Sequence, residues 1–295
     1  MYIDSFSEYL LLEKKYSQHT VRAYKTDLIA FKDFCIVHFE DDNIKDVHYN
    51  QIRSWIVELV NEGVNNRSIN RKISSLKTFY KYLQEIEEIT TNPLAKHKSL
   101  KVKKELQIPF SFAEVEKVLA TIQGDDFESV RDKLIVDMLF ATGIRRIELI
   151  NLKEADLDYA FKRIKVLGKR NKERMVPLLE EVIQSIEKYL KLKKEIGVEN
   201  EFLFVTSKGN KIYETLVYRV INSYFSMISA KVKCSPHILR HTFATQLLNK
   251  GADLNSVKEL LGHSSLASTQ VYTHNSLEQL KQVFNKAHPR SEQND

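Results

Sequence analysis

Apolar residues recur along the first hundred positions with helical spacing. Val21, Tyr24, Leu28, Phe31 and Cys35 alternate steps of three and four, the stripe of an amphipathic helix. Ser17 precedes that stripe as its expected N-cap. Ile69, Ile73, Leu76, Tyr80 and Leu83 repeat the pattern on a later helix. Shorter helices are predicted over Ser5–Lys15 and Tyr49–Glu62, the second stopped by Gly63 in the left-handed conformation. Such helices predict a small bundle, with its tyrosines and phenylalanines in the core rather than on a base-stacking surface.

Past this bundle the pattern lapses. Thr90–Gln107 holds Asn92-Pro93 and then Lys96, Lys98, Lys101, Lys103 and Lys104 with little apolar periodicity, which reads as a linker. A second domain is expected from Ser111, where Ser111-Phe112-Ala113-Glu114 fits a capping box. Helices are predicted over 112–122, 128–142 and 145–151. The period then shortens to two. Lys162–Val166 and Lys172–Val176 alternate around Gly168-Lys169-Arg170-Asn171, the pattern of a β-hairpin. Helical spacing resumes over 180–195 and 213–228 and dominates from Pro236 onward. The expected fold class is mainly α with a small antiparallel β-sheet in the second domain. The expected division is a helical domain over 1–90, a basic linker over 91–108 and a second domain over 109–295.

Composition narrows the classes. Of 295 residues, 43% are hydrophobic and 28% charged, as in a packed globular protein, and 8 glycines and 5 prolines favour long helices. No stretch approaches the roughly 18 apolar residues of a membrane span. Met1-Tyr2-Ile3-Asp4 lacks a signal-peptide pattern, so a cytoplasmic protein with no membrane partner is expected. The two cysteines, Cys35 and Cys234, exclude a disulfide framework and a four-cysteine zinc site. Basic and acidic side chains balance over 1–100, so the whole +6 excess falls in 101–295. Within it, Lys162, Arg163, Lys165, Lys169, Arg170, Lys172 and Arg174 face one acid, Glu173. This patch fits a polyanion partner, and equally a solvated lysine-rich hairpin.

Four places carry candidate chemistry. In Ala141-Thr142-Gly143-Ile144-Arg145-Arg146-Ile147-Glu148, Gly143 ends one helix and Arg145 sits at the start of the next, with Glu148 one turn on to orient an arginine. Taken alone, Arg145 and Glu148 also fit a surface ion pair. Lys169 lies on the hairpin tip, where a lysine either stays solvated or reaches a neighbouring site to donate a proton. In Ser235-Pro236-His237-Ile238-Leu239-Arg240-His241, His237 and Arg240 share a face of a helix capped by Ser235. His237 and His241 have zinc-binding spacing, but Ile238 stands where a metalloprotease needs glutamate and Arg240 repels a cation, so no metal is expected. In Leu261-Gly262-His263-Ser264-Ser265, Gly262 ends a helix and fixes the exit of His263, with Tyr272 on the next helical segment.

Two arginines, two histidines, a lysine and a tyrosine suit phosphoryl transfer at a phosphodiester. Guanidinium and imidazole donors match the charge that gathers on the non-bridging oxygens. A tyrosine oxygen is a competent nucleophile once deprotonated, and a lysine can protonate the leaving oxygen. No nucleotide-binding G-x-x-x-x-G-K-[ST] loop occurs, which fits covalent storage of the bond energy.

At these residues the chain resembles the tyrosine recombinases (the phage integrase family), most closely the Xer-type enzymes that resolve chromosome dimers. The matching strings are Ala-Thr-Gly-Ile-Arg at 141–145 with Glu148, Gly-Lys-x-Asn-Lys-Glu-Arg at 168–174, His-x-Leu-Arg-His-Thr-Phe-Ala-Thr at 237–245, Leu-Gly-His-Ser-Ser at 261–265 and Val-Tyr-Thr-His at 271–274. The resemblance implies that Tyr272 is the nucleophile, forming a 3′-phosphotyrosyl intermediate and freeing a 5′ hydroxyl. It implies that Arg145, Arg240 and His263 bind the scissile phosphate, that His237 assists proton transfer, that Lys169 protonates the leaving oxygen and that Glu148 supports them. No metal or organic cofactor is implied. Further DNA contacts are expected from Arg146, Arg170, Lys172, Arg174, Lys101, Lys103 and Lys104.

The implied architecture is a two-domain DNA clamp, an N-terminal core-binding bundle plus a catalytic domain. The implied partners are double-stranded DNA with a specific recombination site, the other subunits of a homo- or hetero-tetramer, a second recombinase, and a cell-division DNA translocase. The apolar face of the final helix, Leu277, Leu280, Val283 and Phe284, fits docking on its own domain, whereas the resemblance implies docking on a neighbouring subunit, which is the expectation. Two departures stand out: Arg170 replaces the second glycine of the usual turn, and Arg146 stands where a smaller apolar residue is common. The same chemistry would serve an integrase or transposase of a mobile element. A non-catalytic DNA-binding protein would bind without a covalent link, and a metal-dependent nuclease would need a cation.

Overall fold

The computed structural model describes residues 2–103, 108–168, 172–229 and 234–262, together with 284, 287, 288 and 290. Contacts divide the chain into two compact units, Met1–Glu105 and Leu106–Asp295.

The first unit is a helical bundle of α1 (Tyr2–Leu12), α2 (Gln18–Phe39), α3 (Tyr49–Asn61) and α4 (Asn66–Glu85). Ser17 caps α2 as expected, its Oγ accepting from the Thr20 N–H at 3.2 Å. The α4 stripe of Ile69, Ile73, Leu76, Tyr80 and Leu83 is buried throughout. The aromatic residues are core, as the edge-on contact of Phe6 with Phe79 illustrates. One buried residue breaks the apolar pattern. Asp27 of α2 accepts hydrogen bonds from Arg71 and Ser75 of α4, which ties the two helices by charge as well as packing. Helix α1 begins at Tyr2 rather than Ser5, since Tyr2 and Ile3 pack on the same core.

The basic stretch after α4 is anchored over its first half. Leu94 is fully buried in the bundle core. Asn70 grips the backbone of Leu100 from both sides, donating to its carbonyl and accepting from its N–H at 2.9 Å each.

The second unit is built around α6 (Phe127–Thr142), which packs against α5 (Phe112–Thr121), α7 (Arg146–Asn151), α8 (Glu180–Glu195), α9 (Glu214–Ile228) and α10 (Pro236–Asn249). Its residues are buried around most of its circumference because neighbours cover nearly every face. The Ser111–Glu114 capping box starts α5 as expected, Ser111 N–H donating to Glu114 Oε2 at 2.7 Å. A short helix, α11 (Leu254–Leu261), follows α10.

The hairpin is present as β2 (Arg163–Leu167) and β3 (Glu173–Pro177), antiparallel, with Val166 opposite Arg174. A third strand, β1 (Leu157–Asp158), pairs antiparallel with β2 and was not legible in its two-residue length. Ile164, Val166, Arg174 and Val176 all point inward.

Near the C-terminus, Phe284 and Ala287 join Phe243, Leu247, Val257, Leu260 and Leu261 in one apolar cluster. Phe284 is fully buried within its own chain, the first of the two readings of that face. Leu277, Leu280 and Val283 lie outside the described residues. Among the described residues, no helix is long and apolar enough to cross a membrane.

Candidate active site

Helix α6 ends at Gly143, whose φ of 61° is left-handed. A Cβ there would come within 2.3 Å of the Phe243 ring of α10, so the turn and the helix packing both require glycine. The chain then turns at once into α7, with Arg145 at its N-cap position. Glu148, one turn on, accepts from the Arg145 backbone N–H at 2.8 Å and from Arg145 Nη1 at 2.6 Å. The pair is more than a surface ion pair, because Glu148 exposes only 2% of its side chain.

Helix α10 starts at Pro236, after Ser235, whose backbone takes the N-cap conformation without a side-chain cap bond. One turn in, Arg240 points inward and is 8% exposed. Its Nη1 donates to Gly143 O and its Nη2 to Leu261 O, each at 2.6 Å. Arg145 Nη2 donates to Gly262 O at 3.1 Å, and Arg174 Nε to Leu260 O at 2.9 Å. Three successive carbonyls at the end of α11 are thus held by three different arginines. A helix C-terminus suits this role, since its carbonyls lack helical partners and carry partial negative charge.

Arg174 closes the ring. Its Nη1 and Nη2 donate to the two Glu148 oxygens at 3.1 and 2.8 Å. Burial alone would raise the Glu148 carboxyl, but the hydrogen bonds and charge of Arg174, joined by those of Arg145, hold it below the usual range. Burial, reinforced by the charge of Arg145, pushes Arg240 down to about 10, still protonated at neutral pH. Three guanidinium groups around one carboxylate leave a net positive cluster. Arg145 opens it to solvent, with 21% of its side chain exposed. Such a cluster suits an anion whose charge grows during reaction.

Arg145, Glu148 and Arg240 therefore meet at the end of α11. His237 is exposed on the first turn of α10, one turn ahead of Arg240, and His241 is exposed beside it. Lys169, Arg170, His263, Tyr272 and Lys104 lie outside the described residues. The residues that precede Lys169 and His263 adjoin the cluster. Gly168 N–H donates to Lys172 O at 2.8 Å, and a Cβ on Gly168 would stand 3.6 Å from Glu148 Oε1. Gly262, which precedes His263, has a left-handed φ of 63° as expected.

Arg174 corrects the sequence reading. Expected as a DNA contact, it is only 5% exposed, with its guanidinium committed to Glu148 and Leu260. The missed signal was parity: Arg174 shares the inward face of its strand with Val176. Arg146 pairs with Glu214 of α9 and does not compete for Glu148. Lys101, Lys103 and Lys172 are exposed. Among the described residues, no three His, Cys, Asp or Glu side chains gather as a metal site.

Comparison with known proteins places these features. Residues 91–279 match the phage integrase family, and residues 3–86 match the phage integrase N-terminal SAM-like domain. The chain is 40% identical over 289 residues to a tyrosine recombinase XerC of Staphylococcus aureus strain MSSA476, covering 98% of this chain and 96% of that protein. The XerC of strain USA300 / TCH1516 is 39% identical over the same length, with the same coverage. Among solved structures, the Tn1549 transposon integrase in complex with circular intermediate DNA aligns with a TM-score of 0.69 at 23% identity, covering 94% of this chain and 98% of that one. A lambda integrase dimer bound to a core site aligns with a TM-score of 0.68 at 18% identity, covering 92% and 98%. These two likenesses are of fold.

Proposed function

The chain belongs to the phage integrase family of tyrosine recombinases, site-specific DNA recombinases, and from that premise we propose how its own residues work. Tyr272 attacks a scissile phosphate, the P–O5′ bond breaks, and a 3′-phosphotyrosyl link forms with a free 5′ hydroxyl. The tyrosine proton passes to His237, and the leaving 5′ oxygen takes a proton from Lys169. Arg145, Arg240 and His263 hold the non-bridging oxygens. Rejoining reverses these steps with a new 5′ hydroxyl, so the reaction needs no nucleotide and no metal.

The observation that carries this reading is the convergence of Arg145 and Arg240 on the end of α11, braced by Glu148. Preorganised donors of this kind stabilise charge without reorganising; losing one typically costs ~10²–10³ in rate, about 3–4 kcal/mol. Residues 109–295 carry the chemistry in this reading, the helices of 1–90 grip the same duplex, and residues 91–108 link them. Exposed Lys101, Lys103 and Lys172 contact phosphates, as do Arg170 and Lys104.

The identity with XerC proteins supports chromosome dimer resolution in the cytoplasm as the biological role. That role requires an assembly on DNA. It is a tetramer of this chain, or of this chain with a second recombinase, and a cell-division DNA translocase is the activator.

A nicked suicide duplex tests the chemistry. It carries a recombination site selected from random sequence by the wild-type protein. The protein should become covalently attached to it on a denaturing gel, in the presence of chelator, and Tyr272→Phe should abolish the product. Strand cleavage that needs a divalent cation, or an adduct that survives Tyr272→Phe, would reject the mechanism.

A further inference from the structure

We infer that Arg174 is a positioning residue for recombination, one that holds Arg145 and the end of α11 in register, and not a DNA contact. The inference rests on the reaction proposed above. Arg174 lies on β3 opposite Val166, on the inward face of the sheet. From there its guanidinium spans α7 and the end of α11, as Arg145 also does, but it alone of the two takes both oxygens of Glu148. Two nitrogens take both oxygens of Glu148, and the third takes Leu260 O on α11. Glu148 in turn fixes Arg145 through its backbone and its Nη1. The contact with α11 is close: a Cβ on Gly262 would stand 3.1 Å from Arg174 Nη1 and 3.2 Å from its Cδ and Cζ.

Removing this fork has a defined consequence. Glu148 keeps Arg145 but loses the planar partner that fixes its plane. The end of α11, from which the chain proceeds to His263, keeps, among the described residues, the side-chain bonds from Arg240 and Arg145 at 261 and 262. Arg145 should then sample geometries away from the phosphate, which reduces rate without removing charge. Lysine cannot replace this fork, because a point-like ammonium lacks its planar, bidentate geometry. A residue that touched phosphate would behave differently, since its loss would weaken binding and flatten the salt dependence.

The test compares Arg174→Lys, Arg174→Gln, Glu148→Gln and the double variant Arg174→Lys with Glu148→Gln against wild type. Each is measured for single-turnover adduct formation on the nicked suicide duplex, for equilibrium affinity across a salt series, and for amide exchange over residues 143–150. The expected result for Arg174→Lys is a rate lowered ~10²-fold with affinity within about twofold, and for Arg174→Gln, which removes the charge, an unchanged salt slope. The Arg145 amide, which donates to Glu148, should exchange faster, and the double variant should be no slower than the slower single variant. A wild-type rate in Arg174→Lys, a weaker affinity with a salt slope reduced by about one in Arg174→Gln, or multiplicative single effects would overturn the inference. If Arg174→Lys does not fold, Arg174→Gln, whose amide still donates to Glu148, is read by the same criteria. If wild type forms no adduct, the proposed reaction fails, and amide exchange alone decides the role of Arg174: unchanged exchange at 145 overturns it.

Discussion

Arg145 and Arg240 hold neighbouring carbonyls at the end of α11, Arg145 at Gly262 and Arg240 at Leu261. They approach from different helices, so neither guanidinium is placed by its own helix alone. Each depends on the left-handed ends of α6 and α11, at Gly143 and Gly262. Replacing either arginine by lysine keeps the charge and loses the fork. For Arg240→Lys, adduct formation should fall by ~10²–10³ while the salt slope of binding stays unchanged. Single-turnover kinetics and a salt titration check this.

Gly143→Ala should be strongly destabilising. The alanine would need a left-handed backbone, costing about 1–2 kcal/mol, and its methyl would drive into Phe243, adding roughly 1–3 kcal/mol. The same shift would move the Gly143 carbonyl that Arg240 holds. Denaturant unfolding should show the loss, and a Phe243→Leu second-site change should recover part of it.

His288 gives the second unit a pH dependence. Burial, with the charges of Arg290 and Lys250 adding to it, pushes the imidazole down to about 3. Its ring lies among Phe140, Phe243 and Phe284, and its Nδ1 accepts from the Arg290 N–H at 3.2 Å. The folded state therefore keeps it neutral, while the unfolded chain protonates it below about 6.5. Its contribution is fully present above that value and is lost as pH falls towards 3. By pH 5 the loss should be about 2 kcal/mol. Chemical denaturation from pH 7.5 to 5 should show that slope, and His288→Gln should flatten it.

Arg290→Ala should cost about 3–5 kcal/mol, because Asp137 would be left as an uncompensated buried charge. Arg290 donates to Asp137 and, through Nε, to Glu116 at 2.8 Å. Adding Asp137→Asn should restore most of the loss in thermal melts. An Arg290→Ala variant that melts like wild type would show that this ion pair does not hold the C-terminal segment.

Much of the fold was legible because its signals are local. The α4 stripe, the Ser17 cap, the Ser111–Glu114 box and the glycines at 143 and 262 each act within a few residues. The hairpin was readable from its period of two, whereas β1 is too short for any period. Asp27 and Arg174 were misread or passed over for a shared reason. Each is a charge on an inward face, and its partner lies far along the chain, on α4 for Asp27 and on α7 for Arg174. Hydrophobic patterning assigns such positions to the surface by residue type, although their spacing assigns them inward. Phe284 shows a different limit. An apolar helix face predicts burial but not against which chain.

The most direct test of the proposed chemistry is to map the covalent adduct residue by residue. Protein trapped on the nicked suicide duplex is digested with nuclease and protease, and the nucleotide-bearing peptide is sequenced by mass spectrometry. The predicted result is a phosphate on the phenolic oxygen of Tyr272, joined to the 3′ end of the cleaved strand, with a 5′ hydroxyl on the released strand. A phosphate on any other residue, or cleaved strands ending in 5′ phosphate with no attached peptide, would contradict it.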